Sequence, residues 1–317
     1  IKYSLEGNIA KYPNFIEIQQ LSDYDSIVYI NCSYNQLTSL PSTLPESLRG
    51  LDCSNNNLTS LPSTLPESLQ TLDCSSNNLT DIPSKLPESL EELNCSDNNL
   101  TVLPLKLPES LRGLQCSYNQ LTELPSKLPG SLRGLECSYN NLTELPSKLP
   151  ESLRGLVCSN NNLTSLPSSL PESLRVLYCY QNNLTSLPSS LPDSLRVLYC
   201  SDNNLTELPS KLPGSLRVLY CYYNKLKALP INLHELRNLT LVDCSDNEIE
   251  YIPPQTTRFL NSLKNTDMTQ PKLYNDGQNV HDHQIQESIR NSIYGVIKEK
   301  PSITTEEMNE EIVSNTV

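Results

Sequence analysis

Leu48-Arg49-Gly50-Leu51-Asp52-Cys53-Ser54-Asn55-Asn56-Asn57-Leu58-Thr59-Ser60-Leu61-Pro62 decides how this chain folds, because its spacing recurs along most of the sequence. The cysteines stand at Cys32, Cys53, Cys74, Cys95, Cys116, Cys137, Cys158, Cys179, Cys200, Cys221 and Cys244, each followed three residues later by an asparagine. Leu48, Leu51, Cys53 and Leu58 are spaced to face inward and stack on the same positions of the next coil. Around Leu51–Ser54 the alternation is that of a short parallel strand. One such unit cannot bury its own leucines, so neighbouring units must supply the other half of the core. Asn56 turns the chain, and its amide is placed to bond the backbone of adjacent turns. In the return leg, Leu61-Pro62-Ser63-Thr64-Leu65-Pro66, the two prolines forbid a helix and favour extended polyproline II structure.

The repeat accounts for an unusual composition. The 317 residues include 24 prolines and 11 cysteines, but only 9 glycines, 2 phenylalanines and no tryptophan. Such a chain cannot build one irregular aromatic core; it needs a regular, leucine-driven one. No run approaches the ~18 consecutive apolar residues of a membrane span. A formal net charge of −13 argues against nucleic-acid phosphates as the partner. No secretory signal is visible, and the first residue, Ile1, predicts a processed chain or a fragment.

The pattern L-x-x-L-x-C-x-x-N-x-L is that of leucine-rich repeats. It predicts an α/β-type solenoid with short parallel strands on a concave face, an extended polyproline II convex side and a helical C-terminal tail. The phrase from Leu86-Pro87-Glu88-Ser89-Leu90 through Asn98-Asn99-Leu100-Thr101-Val102-Leu103-Pro104 resembles the bacterial-type repeats of the IpaH/YopM class. Similar arrays occur in large viruses of amoebae. The resemblance covers about residues 27–253. It departs in unit length (21 residues rather than 20) and in placing Cys where that class has Val or Leu. It implies a host-protein-binding scaffold acting in a host cytosol. The alternative it implies is the substrate-recognition half of an effector-type ubiquitin ligase. In that class the catalytic cysteine lies in a Cys-x-Asp motif of a C-terminal domain. No cysteine follows Cys244, so the enzyme is not within these residues.

Eleven cysteines also invite a metal or disulfide reading. Their spacing lacks zinc-type pairs, and stacked coils place neighbouring Cβ atoms about 4.8 Å apart, farther than a disulfide prefers. The prediction is a column of reduced thiols acting as small hydrophobes in a reducing compartment, with no cofactor. Asn-Leu-Thr at Asn57, Asn78, Asn99, Asn141, Asn162, Asn183 and Asn204 agrees. Glycans on all seven acceptors would crowd one rim, which favours a cytoplasmic location over secretion.

Binding in a solenoid belongs to the outward strand positions. The residue before each cysteine reads Asn31, Asp52, Asp73, Asn94, Gln115, Glu136, Val157, Tyr178, Tyr199, Tyr220, Asp243. Beyond this column, Tyr180, Tyr222 and Tyr223 add to the aromatic C-terminal half. Tyr178, Tyr180, Tyr199, Tyr220, Tyr222 and Tyr223 are therefore the candidate contacts for a protein partner. Stabilisation of neighbouring coils by stacking and sugar binding are the competing roles. A basic column comprises Arg49, Arg112, Arg133, Arg154, Arg175, Arg196 and Arg217, in most units with an acid three residues upstream, such as Glu46 or Glu109. This predicts an ion-pair lattice of little worth per pair. Gly214 replaces the acid before Arg217, which makes Arg217 a further binding candidate. No catalytic constellation, nucleic-acid site or membrane site is expected.

The predicted organisation is an N-terminal cap or flank (1–26), a solenoid (27–253) and a helical C-terminal region (254–317), a candidate start of a further domain. Residues 1–26 either cover the first coil or are a truncated cap. In the C-terminal region Val280, Ile285, Ile289, Ile293 and Val296 or Ile297 recur at helical spacing, and Thr304 with Glu307 reads as a capping box. His281-Asp282-His283 is a candidate turn and helix start, or a metal contact.

Overall fold

A computed structural model describes residues 2–5, 8–11 and 14–263. Its centre is a single 13-stranded sheet. Eleven of the strands are three-residue parallel rungs, one per repeat: β3 (Tyr29–Asn31), β4 (Gly50–Asp52), β5 (Thr71–Asp73), β6 (Glu92–Asn94), β7 (Gly113–Gln115), β8 (Gly134–Glu136), β9 (Gly155–Val157), β10 (Val176–Tyr178), β11 (Val197–Tyr199), β12 (Val218–Tyr220) and β13 (Leu241–Asp243). The register is uniform, each residue lying beside its repeat equivalent, as in Leu135↔Leu156 and Tyr178↔Tyr199. The fold is a parallel leucine-rich-repeat solenoid.

The inward positions form one continuous core. Leu48, Leu51, Cys53 and Leu58 are all 1% exposed or less, and their equivalents repeat that burial except in the end coils, where Leu37 and Ile249 are partly buried. The eleven cysteines are buried and free. Several thiols donate weakly to a carbonyl of the next coil, as from Cys116 Sγ to Glu136 O at 3.3 Å. Burial raises the thiol pKa to about 12 at Cys95, Cys158 and Cys200, so these groups stay protonated and act as small apolar side chains.

From Asn56 onward each turn asparagine ties two coils together. Asn140 Oδ1 accepts from Leu121 N at 2.9 Å. Its Nδ2 donates to Cys116 O, Cys137 O and Ser138 O at 3.0, 3.1 and 3.2 Å. A second polar ladder, absent from the sequence reading, runs along the turn before the strands. There Ser131 Oγ is shared between Glu109 O and Leu111 O of the previous coil at 2.6 and 2.7 Å, and Ser152, Ser173, Ser194 and Ser215 repeat the arrangement.

A regular backbone feature also escaped the sequence reading. The residue two after each cysteine is left-handed throughout, with φ from 50° to 57°, although none of the eleven is glycine. Asn55, Asp97, Asn160, Asp202 and Asp246 suit this conformation; Tyr34, Tyr118, Tyr139 and Tyr223 occupy it at a cost.

At the N-terminal side, β1 (Lys2–Leu5) pairs antiparallel with β3 and with β2 (Asn8–Lys11), so the first rung does not present an open edge. α1 (Phe15–Gln19) is capped by Asn14 Oδ1, which accepts from Glu17 N, and buries Phe15 and Ile18. After the last rung, α2 (Pro254–Ser262) starts with Pro at its first position and buries Leu260. The apolar stripe from Val280, the Thr304 capping box and His281-Asp282-His283 lie outside the described residues.

The predicted pairing of an arginine with the acid three residues upstream is corrected at Glu109, which pairs instead with Lys127 of the next coil at 3.3 Å. Glu67 and Glu88, which have no arginine three residues on, pair likewise with Lys85 and Lys106 at 2.9 Å each. Arg112 pairs with Glu91, its equivalent one coil earlier, at 3.0 Å. Coil stacking brings these positions together more closely than the turn within a unit does. The lysine pairs are strongly exposed and contribute little to stability.

Candidate functional site

The parallel register aligns outward side chains into two columns on the strand face. One holds the residue before each cysteine; the other holds the first residue of each strand. At the N-terminal end the first column is a polar ladder. Asp52 Oδ1 accepts from Ser54 N and Ser54 Oγ at 3.1 and 2.7 Å, while Asp52 Oδ2 accepts from Asn31 Nδ2 at 2.9 Å. Asp73 repeats this with Ser75 and Asn94. Burial pushes the Asp73 carboxyl pKa above the usual range, and the hydrogen bonds from Ser75 pull against that shift.

Along β10–β12 both columns change character. Val176, Val197 and Val218 line up beside Tyr178, Tyr199 and Tyr220. The Tyr178 and Tyr199 rings stack with centroids 4.5 Å apart and planes 26° apart. Beyond Tyr199 the rings turn. Tyr199 and Tyr220 are 4.4 Å apart at 60°, Tyr220 and Tyr222 are 6.2 Å apart at 68°, and Tyr222 and Tyr223 are 5.6 Å apart at 75°. Desolvation raises the Tyr178 pKa to about 12 and pushes Tyr199 higher still, so both phenols are neutral donors.

The six tyrosines named from sequence do not share one environment. Tyr178 is 6% exposed, which makes it the closed end of the stack rather than a contact surface. Tyr180, Tyr199, Tyr220 and Tyr222 are half-buried, Tyr223 is 37% exposed, and Arg217 lies exposed at the start of the same rung as Tyr220. The sequence reading missed a second aromatic pair, Tyr118 and Tyr139, stacked at 4.2 Å and 9°. The Cys-Ser-Tyr-Asn phrase repeated at Cys116 and Cys137 was its signal. It also missed the valine column, because Val at a strand start reads as ordinary β-propensity.

Comparisons with known proteins agree with this fold. The family model for Leucine Rich repeats (2 copies) matches residues 46–88, and that for the single Leucine Rich Repeat matches residues 89–114 and 194–214. No curated protein matches the chain. Among solved structures, YopM, a leucine-rich effector protein from Yersinia pestis, is similar at 39% identity and TM-score 0.61, over 70% of this chain and 62% of that one. The chain thus spans less than two thirds of that relative. The functional domain of InlJ from Listeria monocytogenes, which includes a cysteine ladder, is 29% identical with TM-score 0.57, over 71% of this chain and 55% of that one. An internalin from the same species, inlF, shares the fold at 22% identity and TM-score 0.61, over 78% and 82% of the two chains.

Proposed function

We propose that this chain is a non-catalytic scaffold that holds a partner protein on the strand face of its repeats, within a host cytosol. One observation carries the reading. The inward Leu, Cys and Asn are nearly invariant along the array, whereas the outward strand column runs from Asn31 and Asp52 to Tyr199 and Tyr220. Core packing needs no such change, and half-buried tyrosines beside valines supply the rigid amphipathic area that interfaces use. The likeness to an effector supports the host setting. Buried free thiols suit a reducing compartment, and the exposed Asn-Leu-Thr asparagines such as Asn57 and Asn141 would carry crowded glycans in a secretory one. If the parent protein carries a ligase domain beyond residue 317, this same face would select its substrate.

A photocrosslinking side chain placed at Val197 on the strand face, and separately at the exposed Ser189 on the return leg, tests the reading in eukaryotic cytosol. Discrete adducts from position 197 and none from position 189 are expected. Equal labelling from both would defeat it.

A further inference from the structure

We propose that Tyr199, Tyr220, Tyr222 and Tyr223, together with Asp202 and Asp243, cradle an arginine side chain of the partner. This rests on the scaffold reading and names the chemistry of its central contact. The first support is ring geometry. The Tyr118 and Tyr139 rings stack nearly parallel, at 9°. From Tyr199 to Tyr223 each ring instead turns by 60°, 68° and 75° against the one before. Ring faces are thereby presented in more than one direction, and an aromatic face attracts a cation placed over it.

Carboxylates flank these rings. Asp243 lies beside Tyr220 in the strand register. Asp202 precedes Tyr223 by one coil, and the Asp202 N–H bonds Tyr222 O at 3.0 Å. Neither position needs a negative charge for the fold. Asp243 Oδ1 accepts from Ser245 N and Ser245 Oγ. Asn31 Oδ1 performs the same task for Ser33 with a neutral side chain. Asp202 occupies the left-handed position that Asn55 and Asn160 also fill. The half-buried Asp202 carboxyl is desolvated, which raises its pKa and leaves it short of a counter-charge.

A third feature sits among these groups. Ser201 is 1% exposed, and its hydroxyl has no partner. In the acidic coils the equivalent Ser54 and Ser75 donate to the aspartate two residues earlier. Here Tyr199 has replaced that acceptor, as Glu136 and Val157 have before Ser138 and Ser159, whose hydroxyls are likewise unpartnered. The buried Ser201 oxygen becomes available to an N–H only if a side ring shifts to admit it. Arginine fits the whole set better than lysine: its flat guanidinium can lie on one ring while its fork of donors reaches carboxylate and hydroxyl together. The chain's net charge of −13 favours approach of a basic segment.

The test uses a fluorescein-labelled Gly/Ser peptide carrying two arginines, its citrulline counterpart of equal shape and no charge, and its lysine counterpart, read by anisotropy at physiological ionic strength. Binding of the arginine peptide is expected to exceed that of the citrulline peptide by about threefold to thirtyfold, with lysine between them. Asp202→Asn with Asp243→Asn should erase that preference, as should Tyr220→Leu with Tyr222→Leu. Asp52→Asn with Asp73→Asn changes the net charge equally at the far end and should leave the preference intact. Equal binding of arginine and citrulline peptides, or equal loss from the Asp52/Asp73 pair, overturns the proposal. If strand-face crosslinks at position 197 persist in that event, only the arginine assignment falls; if they vanish too, the scaffold reading falls with it.

Discussion

Removing Asn140 tests whether the asparagine ladder holds the coils together as the geometry requires. Its side chain makes four bonds, but they are not equivalent. Cys116 O also accepts from Asn119, Cys137 O from Asn161, and Ser138 O from the Tyr118 N–H. In Asn140→Ala all three carbonyls therefore keep a donor. The group left stranded is the Leu121 N–H, whose only acceptor is Asn140 Oδ1, within a residue 0% exposed. An unsatisfied buried amide costs about 1–3 kcal/mol, and the shared Nδ2 bonds add less, so the expected loss is about 2–3 kcal/mol. Asn35 is the internal control. It is exposed, its amide donates only to Ser33 O at 2.7 Å, and Asn35→Ala should cost under about 1 kcal/mol.

Asn140→Asp sharpens the test. The carboxylate still accepts from Leu121 N, yet it faces three carbonyl oxygens, so its folded-state pKa rises. A raised pKa means that stability is present below the unfolded carboxylate value near 4 and is lost as pH climbs through the folded value. Urea unfolding followed by circular dichroism gives the costs, and hydrogen exchange at the Leu121 amide locates them. Exchange should accelerate in Asn140→Ala, and Asn140→Asp should gain stability on acidification. Equal costs for Asn140→Ala and Asn35→Ala, or unchanged Leu121 exchange, would refute the reasoning.

Three further outcomes are expected. Tyr34 is 77% exposed and held at φ 57°, so Tyr34→Asn should stabilise the first coils by about 0.5–1 kcal/mol, seen as a higher urea midpoint. The cysteines titrate near 8.5 when unfolded but are raised to about 12 at Cys95, Cys158 and Cys200 when folded. Their stability contribution is thus complete below about pH 8.5 and falls as pH rises toward 12, so urea midpoints should drop steeply above pH 9, less so in Cys95→Val. A Cβ at Gly50 would lie 2.5 Å from Tyr29 Cδ2, and Tyr29 is 8% exposed; Gly50→Val should cost about 1–3 kcal/mol in thermal unfolding, whereas Gly214→Val, with open space around it, should cost under about 1 kcal/mol.

What the sequence determined by itself was the skeleton of the repeat, though not its serine ladder or its left-handed turn. Spacing names the strand, the inward leucines and cysteines and the turn asparagine, because a solenoid stacks each residue on its own equivalent and the core is the repeat read twice. It also named the tyrosines, since a column is visible once the period is known. Three-dimensional placement decided what lies beyond the period. Glu109 meets Lys127 rather than Arg112, Tyr178 is covered while Tyr223 is not, and the rings turn between Tyr199 and Tyr223. Spacing determines which side chains share a column, whereas the left-handed turn two residues after each cysteine and the rotamers of neighbouring coils set which way they point. Membership of a column is legible in the sequence; the direction and exposure of its side chains are not.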